Sequence, residues 1–274
     1  MTHSTATVCE NLRAETQALR ALVTSGAVHP ETPTAFMGWI ARNSIDHVVM
    51  VDRLATLAIT DPAAAAAERA LFGKHSAPPD AAPPERFGVM AAYETMRLGL
   101  LSWEQLLAAW EIGLDQLIAA ALAVGDEARV EWFAGSMRLV SLLEARQMEV
   151  WAYGQDVFDA AGVSRAEAAR LRTVVEFAMK VRGFSFTNRG EPVPPVKPYV
   201  TLVAPDGSQW EWNDPASPEQ ISGSARDFCL VATQRRHVDD TGLAVIGAGA
   251  RRWMEVSQCI AGSPMDGPPP RARP

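Results

Sequence analysis

The spacing of apolar positions predicts that the first two-thirds of the chain is helical. Apolar residues recur at helical spacing over 7–24, 43–59, 103–124 and 137–161, and glycines follow several of these segments closely. Four long helices joined by shorter connections are typical of a helical bundle. We therefore expect a four-helix bundle over residues 1–162.

Shorter signals lie between and after these helices. Asp61-Pro62 places a proline at the start of a short alanine-rich segment, which favours a helix there. The stretch 74–85, KHSAPPDAAPPE, has two proline pairs and no periodicity, so it is predicted to be a surface loop. Ser102 with Gln105, and Ser164 with Glu167, have the form of capping boxes, so each pair predicts a helix start.

The pattern changes after residue 162. Alternating apolar and polar positions over 199–203 and 209–212, separated by Pro205-Asp206-Gly207, predict a β-hairpin. Segments 224–236 and 249–262 read as helices, and GLAVIG (242–247) reads as a strand. The predicted fold class is thus α+β: the helical bundle, a small α/β domain over 163–262, and a disordered tail over 263–274.

Composition narrows the classes of function. The three cysteines, Cys9, Cys229 and Cys259, form no CxxC pair, which argues against a disulfide framework and indicates a reduced, cytoplasmic compartment. The start of the chain lacks the pattern of a signal peptide, and we expect no apolar run approaching the ~18 residues of a membrane span. A net charge of −7 gives little attraction for nucleic acid or anionic lipid. We expect a small-molecule substrate as the partner, and the oligomeric state stays open, a homo-oligomer included.

Two polar residues fall on helix faces that a bundle would bury. His47 shares its face with Ile40, Val51, Leu54 and Ala58, and Glu149 shares its face with Leu142, Ala145, Ala152 and Tyr153. A buried imidazole and a buried carboxylate both need partners, so a hydrogen-bonded core histidine and a structural salt bridge are the plain interpretations. The functional interpretation is a metal site, because these donors suit zinc, iron, nickel or manganese. A catalytic metal site needs a third protein ligand.

Three segments carry a family resemblance. GWIARNSIDHVVMVD (38–52), MEVWAYGQDVFDAAGV (148–163) and ISGSARDFCLVATQRRHVDDTGLAVIGAGARRW (221–253) resemble, in this order, the DinB-like metalloprotein superfamily. The nearest branch is that of mycothiol-dependent maleylpyruvate isomerase. The resemblance implies a DinB-like four-helix bundle followed by a small α/β domain. It also implies isomerisation, S-transfer or conjugation with a low-molecular-weight thiol that a metal activates.

The resemblance also assigns roles to individual residues. It implies that the metal is held by a histidine of the second helix, which corresponds to His47. The other two ligands are a glutamate and a histidine four residues apart on the last bundle helix, and these positions hold Glu149 and Tyr153. This chain therefore departs from the family pattern at the third ligand. An arginine of the C-terminal domain takes part in some members, which makes Arg235 and Arg236 candidates.

Tyr153 leaves three outcomes open. It binds a hard metal as phenolate, or it leaves a weak two-residue site completed by water, or the metal is gone. In the last case His47, Glu149 and Tyr153 form a hydrogen-bonding acid–base trio. A divalent metal (zinc, nickel or iron) is thus a weakened candidate cofactor. We expect the Tyr153→His substitution to raise the affinity for zinc or nickel.

These observations predict an enzyme of the isomerase or transferase type that acts on a small organic metabolite in the bundle pocket, with a low-molecular-weight thiol as candidate cofactor. Two alternatives remain. One is a metal-independent cyclase or isomerase of specialised metabolism that uses the same three polar groups. The other is a small-molecule-binding protein without catalytic activity.

Overall fold

The first part of the chain, as far as Ala161, folds into six helices and one hairpin. In the computed structural model, which describes residues 3–78, 80–133 and 135–271, these elements are α1 (Thr5–Thr24), α2 (Ala41–Thr60), α3 (Pro62–Lys74), α4 (Pro83–Arg97), α5 (Trp103–Val124), β1 (Arg129–Trp132), β2 (Gly135–Arg138) and α6 (Leu139–Ala161). Both α1 and α2 pack against α5 and α6. This arrangement is the four-helix bundle that the periodicity predicts.

The core of the bundle consists of the apolar faces of the four long helices. Their fully buried side chains include Leu12, Leu19, Ile45, Val48, Leu106, Trp110, Leu117, Leu142 and Val150. Burial of a side chain of this size stabilises the fold by roughly 1.5–3 kcal/mol relative to leaving it exposed. The apolar stripes read from the sequence are therefore the surfaces that hold the bundle together.

Both helix-end signals that flank α5 and α6 act as predicted. Ser102 and Gln105 form a complete capping box, in which the Gln105 amide N–H donates to Ser102 Oγ and the Ser102 N–H donates to Gln105 Oε1. Gly162 ends α6 in the left-handed conformation, with φ 64°. Helix α5 therefore begins at Trp103, and α6 ends at Ala161.

Helix α5 corrects the expectation that no apolar run has membrane-spanning length. Among the described residues it is the one helix that is long and apolar enough to cross a membrane by length and composition. Its Leu106, Trp110 and Leu117 are buried in the bundle core. Its carboxylates pair with α1, Glu111 with Arg20 and Asp115 with Arg13. Helix α5 is thus a bundle helix in this structure.

Within the first part of the chain, the structure adds a helix and a hairpin that were not predicted. The stretch 74–85, predicted to be a loop, ends in the first turn of α4, because Pro83 and Pro84 occupy the first two helical positions, where proline is tolerated. The paired strands β1 and β2 precede α6, with Arg129 opposite Arg138 and Val130 opposite Met137. The last predicted bundle helix therefore starts at Leu139 and not at 137.

The helix predicted from the Ser164–Glu167 pair is wrong at its start. The next helix, α7, begins only at Leu171. The side chains of this segment serve other partners: Arg165 is buried and donates to Glu15 and to the Trp151 carbonyl, whereas Glu167 faces Arg226. The chain divides into two compact units after Arg165, three residues beyond the predicted boundary at 162.

The second unit is an α/β unit, which completes the predicted α+β fold. Its elements are α7 (Leu171–Lys180), α8 (Arg182–Thr187), β3 (Tyr199–Val203), β4 (Gln209–Trp212), β5 (Gln220–Ser224), α9 (Ala225–Ala232), β6 (Ala244–Ile246) and α10 (Ala248–Val256). The strands lie in the order β4-β3-β5-β6. β3 pairs antiparallel with β4, as the hairpin signal predicts, and parallel with β5.

Three predictions in the second unit need correction. Helix α9 ends at Ala232 and not at 236, because the Arg235 and Arg236 amides fold back onto the Leu230 carbonyl. Helix α10 ends at Val256 and not at 262. The tail predicted to be disordered over 263–274 is packed where it is described: Met265 is buried, and its N–H donates to Gln258 Oε1. Residues 272–274 lie outside the described residues.

Candidate functional site

His47 lies inside the first unit, clamped between two carboxylates. Its Nδ1 is 2.7 Å from Glu94 Oε1, and its Nε2 is 3.5 Å from Glu149 Oε2. Helix α2 supplies the histidine, α4 supplies Glu94 and α6 supplies Glu149. The imidazole therefore joins three helices, and each ring nitrogen faces a different acid.

Helix α4 is aligned with α2 by two consecutive residues. Glu94 bonds His47, and the hydroxyl of the next residue, Thr95, donates to Asp46 Oδ2 at 2.7 Å. The same oxygen of Asp46 also accepts from Arg42 Nε at 3.3 Å. Two adjacent polar contacts fix the register of α4 on α2, so the Glu94 carboxylate is held in place against the imidazole.

Glu149 has a second cationic partner that the sequence analysis did not identify. The guanidinium of Arg146, one turn earlier on α6, donates from NH1 to Glu149 Oε2, the oxygen that faces His47. Its Nε donates to Asp52 Oδ1 at 2.9 Å, and its NH2 donates to the Val48 carbonyl at 3.3 Å. Glu149 therefore lies between a histidine and a fixed arginine.

Tyr153 belongs to an aromatic wall beside the histidine. The wall consists of Phe36, Trp39, Phe87 and Tyr153. The Tyr153 ring stacks on Trp39 at 5.3 Å between centroids and meets the His47 ring edge-on at 4.6 Å. Phe36 and Trp39 come from the segment before α2, where Gly38 turns the chain with φ 79°, and Trp39 Nε1 donates to the Phe87 carbonyl on α4. The predicted trio of His47, Glu149 and Tyr153 is thus gathered in one place.

The electrostatic environment favours a charged histidine and a charged Glu149. Burial lowers the pKa of His47, but the carboxylates of Glu94 and Glu149 outweigh it and raise that pKa to about 9. Burial raises the pKa of Glu149, but Arg146 and His47 outweigh it and lower that pKa to about 2. Asp52 differs, since burial raises its pKa against the opposing effect of Arg146. At neutral pH the site therefore holds an imidazolium next to an ionised Glu149.

The site is almost closed to solvent. The side chain of Glu94 is 1% exposed, that of His47 is 9% exposed and that of Glu149 is 15% exposed. Tyr153 is fully buried. A reactant would therefore reach the histidine from the side of Glu149, while Glu94 stays behind the ring and away from water.

The arrangement fits a resident catalytic metal poorly. A catalytic site of this type needs about three protein ligands and an open position. Among residues 3–78, 80–133 and 135–271, no group of three or more His, Cys, Asp or Glu side chains is placed to hold a metal ion. The Glu149 oxygen nearest His47 Nε2 is already bonded by Arg146, and the third family position holds Tyr153.

Arg235 and Arg236 lie in the second unit, in different environments. The Arg235 side chain is fully buried, and its NH1 donates to the Thr233 carbonyl at 2.6 Å. Arg236 lines a cavity of about 390 Å³ together with His237, Glu255 and Pro268–Pro270. Arg236 is therefore the one of the two that a dissolved molecule can reach within this unit.

Sequence reasoning missed several members of the site, among them Glu94, Arg146 and Trp39. Helix α4 did carry signals, since Pro83 opens it, Glu85 lies in its first turn, Arg97 lies in its last, and Phe87, Ala91 and Glu94 repeat at helical spacing. Arg146 lies three residues before Glu149, which is the spacing of an intrahelical ion pair. No sequence signal places Trp39 against Tyr153, because that contact depends on the chain fold before α2.

The chain is similar in sequence to a described family and to two proteins of Mycobacterium tuberculosis. The family described as the mycothiol maleylpyruvate isomerase N-terminal domain matches residues 12–158, which include His47, Glu94, Arg146, Glu149 and Tyr153. Two uncharacterized proteins from two strains of Mycobacterium tuberculosis are each 35% identical over 256 residues. Each alignment covers 93% of this chain and 95% of the relative.

Solved structures share the fold. Crystal structures of a mycothiol-dependent maleylpyruvate isomerase and of one of its point mutants each superpose with a TM-score of 0.51 at 17% identity. Each superposition covers 88% of this chain and 92% of the other. The similarity therefore extends over both the bundle and the second unit, at the level of the fold.

Proposed function

Because this chain belongs to the family described as the mycothiol maleylpyruvate isomerase N-terminal domain, we propose that it is a thiol-dependent enzyme that isomerises, or transfers a group to, a small organic metabolite. The reaction takes place around His47, Glu149 and Tyr153. One observation carries the proposal: a buried histidine lies between two carboxylates and against an aromatic wall. The thiol is mycothiol or a thiol of the same low-molecular-weight class.

The first role of the site is to stabilise the thiolate. A thiolate is the reactive form of a thiol, and an adjacent imidazolium lowers a thiol pKa. His47 supplies this positive charge, since its pKa is raised to about 9 by Glu94 and Glu149 despite its burial. Glu94 is a positioning residue, because it bonds Nδ1 and leaves Nε2 directed to the side of Glu149. The thiol releases its proton to solvent, and the thiolate is held by the imidazolium.

The second role is to bind a conjugated carbonyl compound. A thiolate isomerises such a double bond by adding to it, which allows rotation about the new single bond, and by leaving again. A hydrogen-bond donor stabilises the negative charge that develops on the carbonyl oxygen. The phenol hydroxyl of Tyr153 is such a donor. The aromatic wall supports the planar apolar part of the substrate. Maleylpyruvate is the first compound to test, because similar proteins act on it.

The experiment uses the full-length protein with mycothiol and maleylpyruvate, and follows cis–trans conversion by absorbance. We expect thiol-dependent turnover that falls at least about a hundredfold in His47→Asn, since a group that stabilises the reacting charge contributes that much. His29→Asn is the matched control, because His29 is an exposed histidine of the same unit. Its turnover should equal that of the wild type.

Other outcomes distinguish the alternatives. Turnover that needs no thiol would favour the metal-independent cyclase or isomerase. Saturable binding of thiol or substrate without conversion, abolished by His47→Asn, would favour the non-catalytic binding protein. Turnover that is the same in His47→Asn and in the wild type would contradict the assignment of the site.

A further inference from the structure

The Glu149 carboxylate determines which cation this site can hold. Its Oε2 faces His47 Nε2 at 3.5 Å, which is the side on which a bound cation would be shared by the two residues. That same oxygen accepts a hydrogen bond from Arg146 NH1. A cation is therefore already present there, and it belongs to the protein.

The side chain of Arg146 is fixed by burial and by hydrogen bonds. Its side chain is 1% exposed, and it has three separate acceptors: Glu149 Oε2, Asp52 Oδ1 and the Val48 carbonyl. A guanidinium stays charged at all relevant pH values and binds carboxylates in a fixed geometry. Taking one partner away from a buried ion pair leaves an uncompensated charge, so the guanidinium does not move aside at low cost.

The charge of the cluster is largely balanced without a metal. Glu94, Glu149 and Asp52 are acidic, and His47 and Arg146 are basic. Adding a divalent ion at Glu149 would bring it against the Arg146 guanidinium in a site that is nearly closed to water. Two positive charges bound to the same carboxylate repel each other strongly when little solvent screens them.

From these contacts we infer that Arg146 is the resident cation of the site and that it excludes a divalent metal by occupying Glu149. Tyr153 is then a second, separate departure from the ligand set. The sequence-based expectation for Tyr153→His changes accordingly: this substitution supplies a ligand, but it leaves Glu149 bound to the guanidinium.

The test compares zinc binding in four full-length proteins: wild type, Tyr153→His, the double variant Arg146→Gln/Tyr153→His, and the double variant Arg146→Lys/Tyr153→His. Each is purified without chelator and analysed for zinc content and for zinc affinity by titration calorimetry. We expect one zinc in the glutamine double variant and at least tenfold weaker binding in Tyr153→His. The lysine double variant is the matched control, since it keeps the charge and should resemble Tyr153→His.

Stoichiometric zinc in the wild type that disappears in His47→Ala would overturn the inference. So would equal affinity in Tyr153→His and in the glutamine double variant. Glutamine at position 146 keeps a polar group next to Asp52, and a zinc-induced rise of the melting temperature in that variant alone is a second readout. If that variant does not fold even with zinc, the wild type and Tyr153→His still decide the matter, because tight zinc binding by either refutes exclusion by Arg146, and its absence from both supports it.

Discussion

Nδ1 of His47 lies 2.7 Å from Oε1 of Glu94, a residue 47 positions away on a different helix. Both side chains are nearly closed to solvent, so the pair is an ionic contact at low dielectric. On the other side of the ring, Nε2 faces Glu149. The histidine therefore has one buried acid that fixes its orientation and another on the more accessible side.

The first prediction concerns the titration of His47. Glu94→Gln removes the carboxylate that contributes most to raising the His47 pKa, while burial still lowers it. We expect the His47 pKa to fall from about 9 toward or below its ordinary value of 6.5. The measurement is the pH dependence of the histidine ring signals by NMR. Glu85→Gln, an exposed position on the same helix, is the control and should leave the titration unchanged.

The second prediction concerns stability against pH. The folded-state pKa of His47 is raised, so its contribution is fully present below about 6.5 and is lost as the pH rises through about 9. A shift of this size corresponds to on the order of 3 kcal/mol. Urea unfolding of the wild type at a series of pH values should show this loss between about 6.5 and about 9.

His47→Asn is the variant that isolates this contribution. It lacks the titrating ring, so its free energy of unfolding should change less over the same pH interval than that of the wild type. If the free energy of unfolding changes with pH equally in the two proteins, other groups cause the pH dependence. The neighbouring carboxylates then do not raise the pKa of His47.

The third prediction separates the ring of Tyr153 from its hydroxyl. Tyr153→Phe keeps the stacking on Trp39 and the edge contact with His47, so we expect the melting temperature to stay close to that of the wild type. If the phenol stabilises the substrate oxyanion, kcat/KM falls by roughly a hundredfold. Tyr153→Ala removes a fully buried ring and should cost about 3–5 kcal/mol of stability.

Tyr199→Phe serves as the control for the third prediction, since Tyr199 lies on a strand of the second unit. It should change neither stability nor turnover by a comparable amount. Full activity of Tyr153→Phe would assign the tyrosine a packing role only and would leave the oxyanion to another donor.

The bundle was predictable because its helices bury wide apolar stripes, and such stripes are readable from periodicity. The positions of His47, Glu149 and Tyr153 followed from the same stripes together with the family resemblance. The family match over residues 12–158 confirms that resemblance. Glu94 was not predicted, because its helix begins with the pair Pro83-Pro84, which reads as part of a proline-rich loop. Arg146 was not predicted, because a charged residue on a helix is more often solvated than buried. The pattern of one amino-acid sequence identifies which face of a helix is buried. It does not identify which charged residue, distant in the sequence, pairs with a polar residue on that face.

The last prediction concerns the buried ion pair of Arg165 and Glu15, both of which are 1% exposed in their side chains. Arg165 also donates to the Trp151 carbonyl at 2.7 Å and lies over the rings of Trp151 and Phe158. Arg165→Met keeps much of the apolar volume but removes the guanidinium that Glu15 contacts, and breaking such a buried pair costs about 3–5 kcal/mol. Chemical denaturation of the purified variant measures this loss.

Two further variants show whether the loss of the ion pair is the cause. Arg13→Met breaks the surface pair with Asp115, whose side chains are 41% and 58% exposed, and should cost no more than about 1 kcal/mol. The double variant Arg165→Met/Glu15→Gln removes both charges, so it should be more stable than Arg165→Met alone, because a neutral amide then replaces the Glu15 carboxylate. Equal losses in the single and double variants would instead assign the effect to the rings and the carbonyl that Arg165 contacts, and the ion pair itself would then add little to the fold.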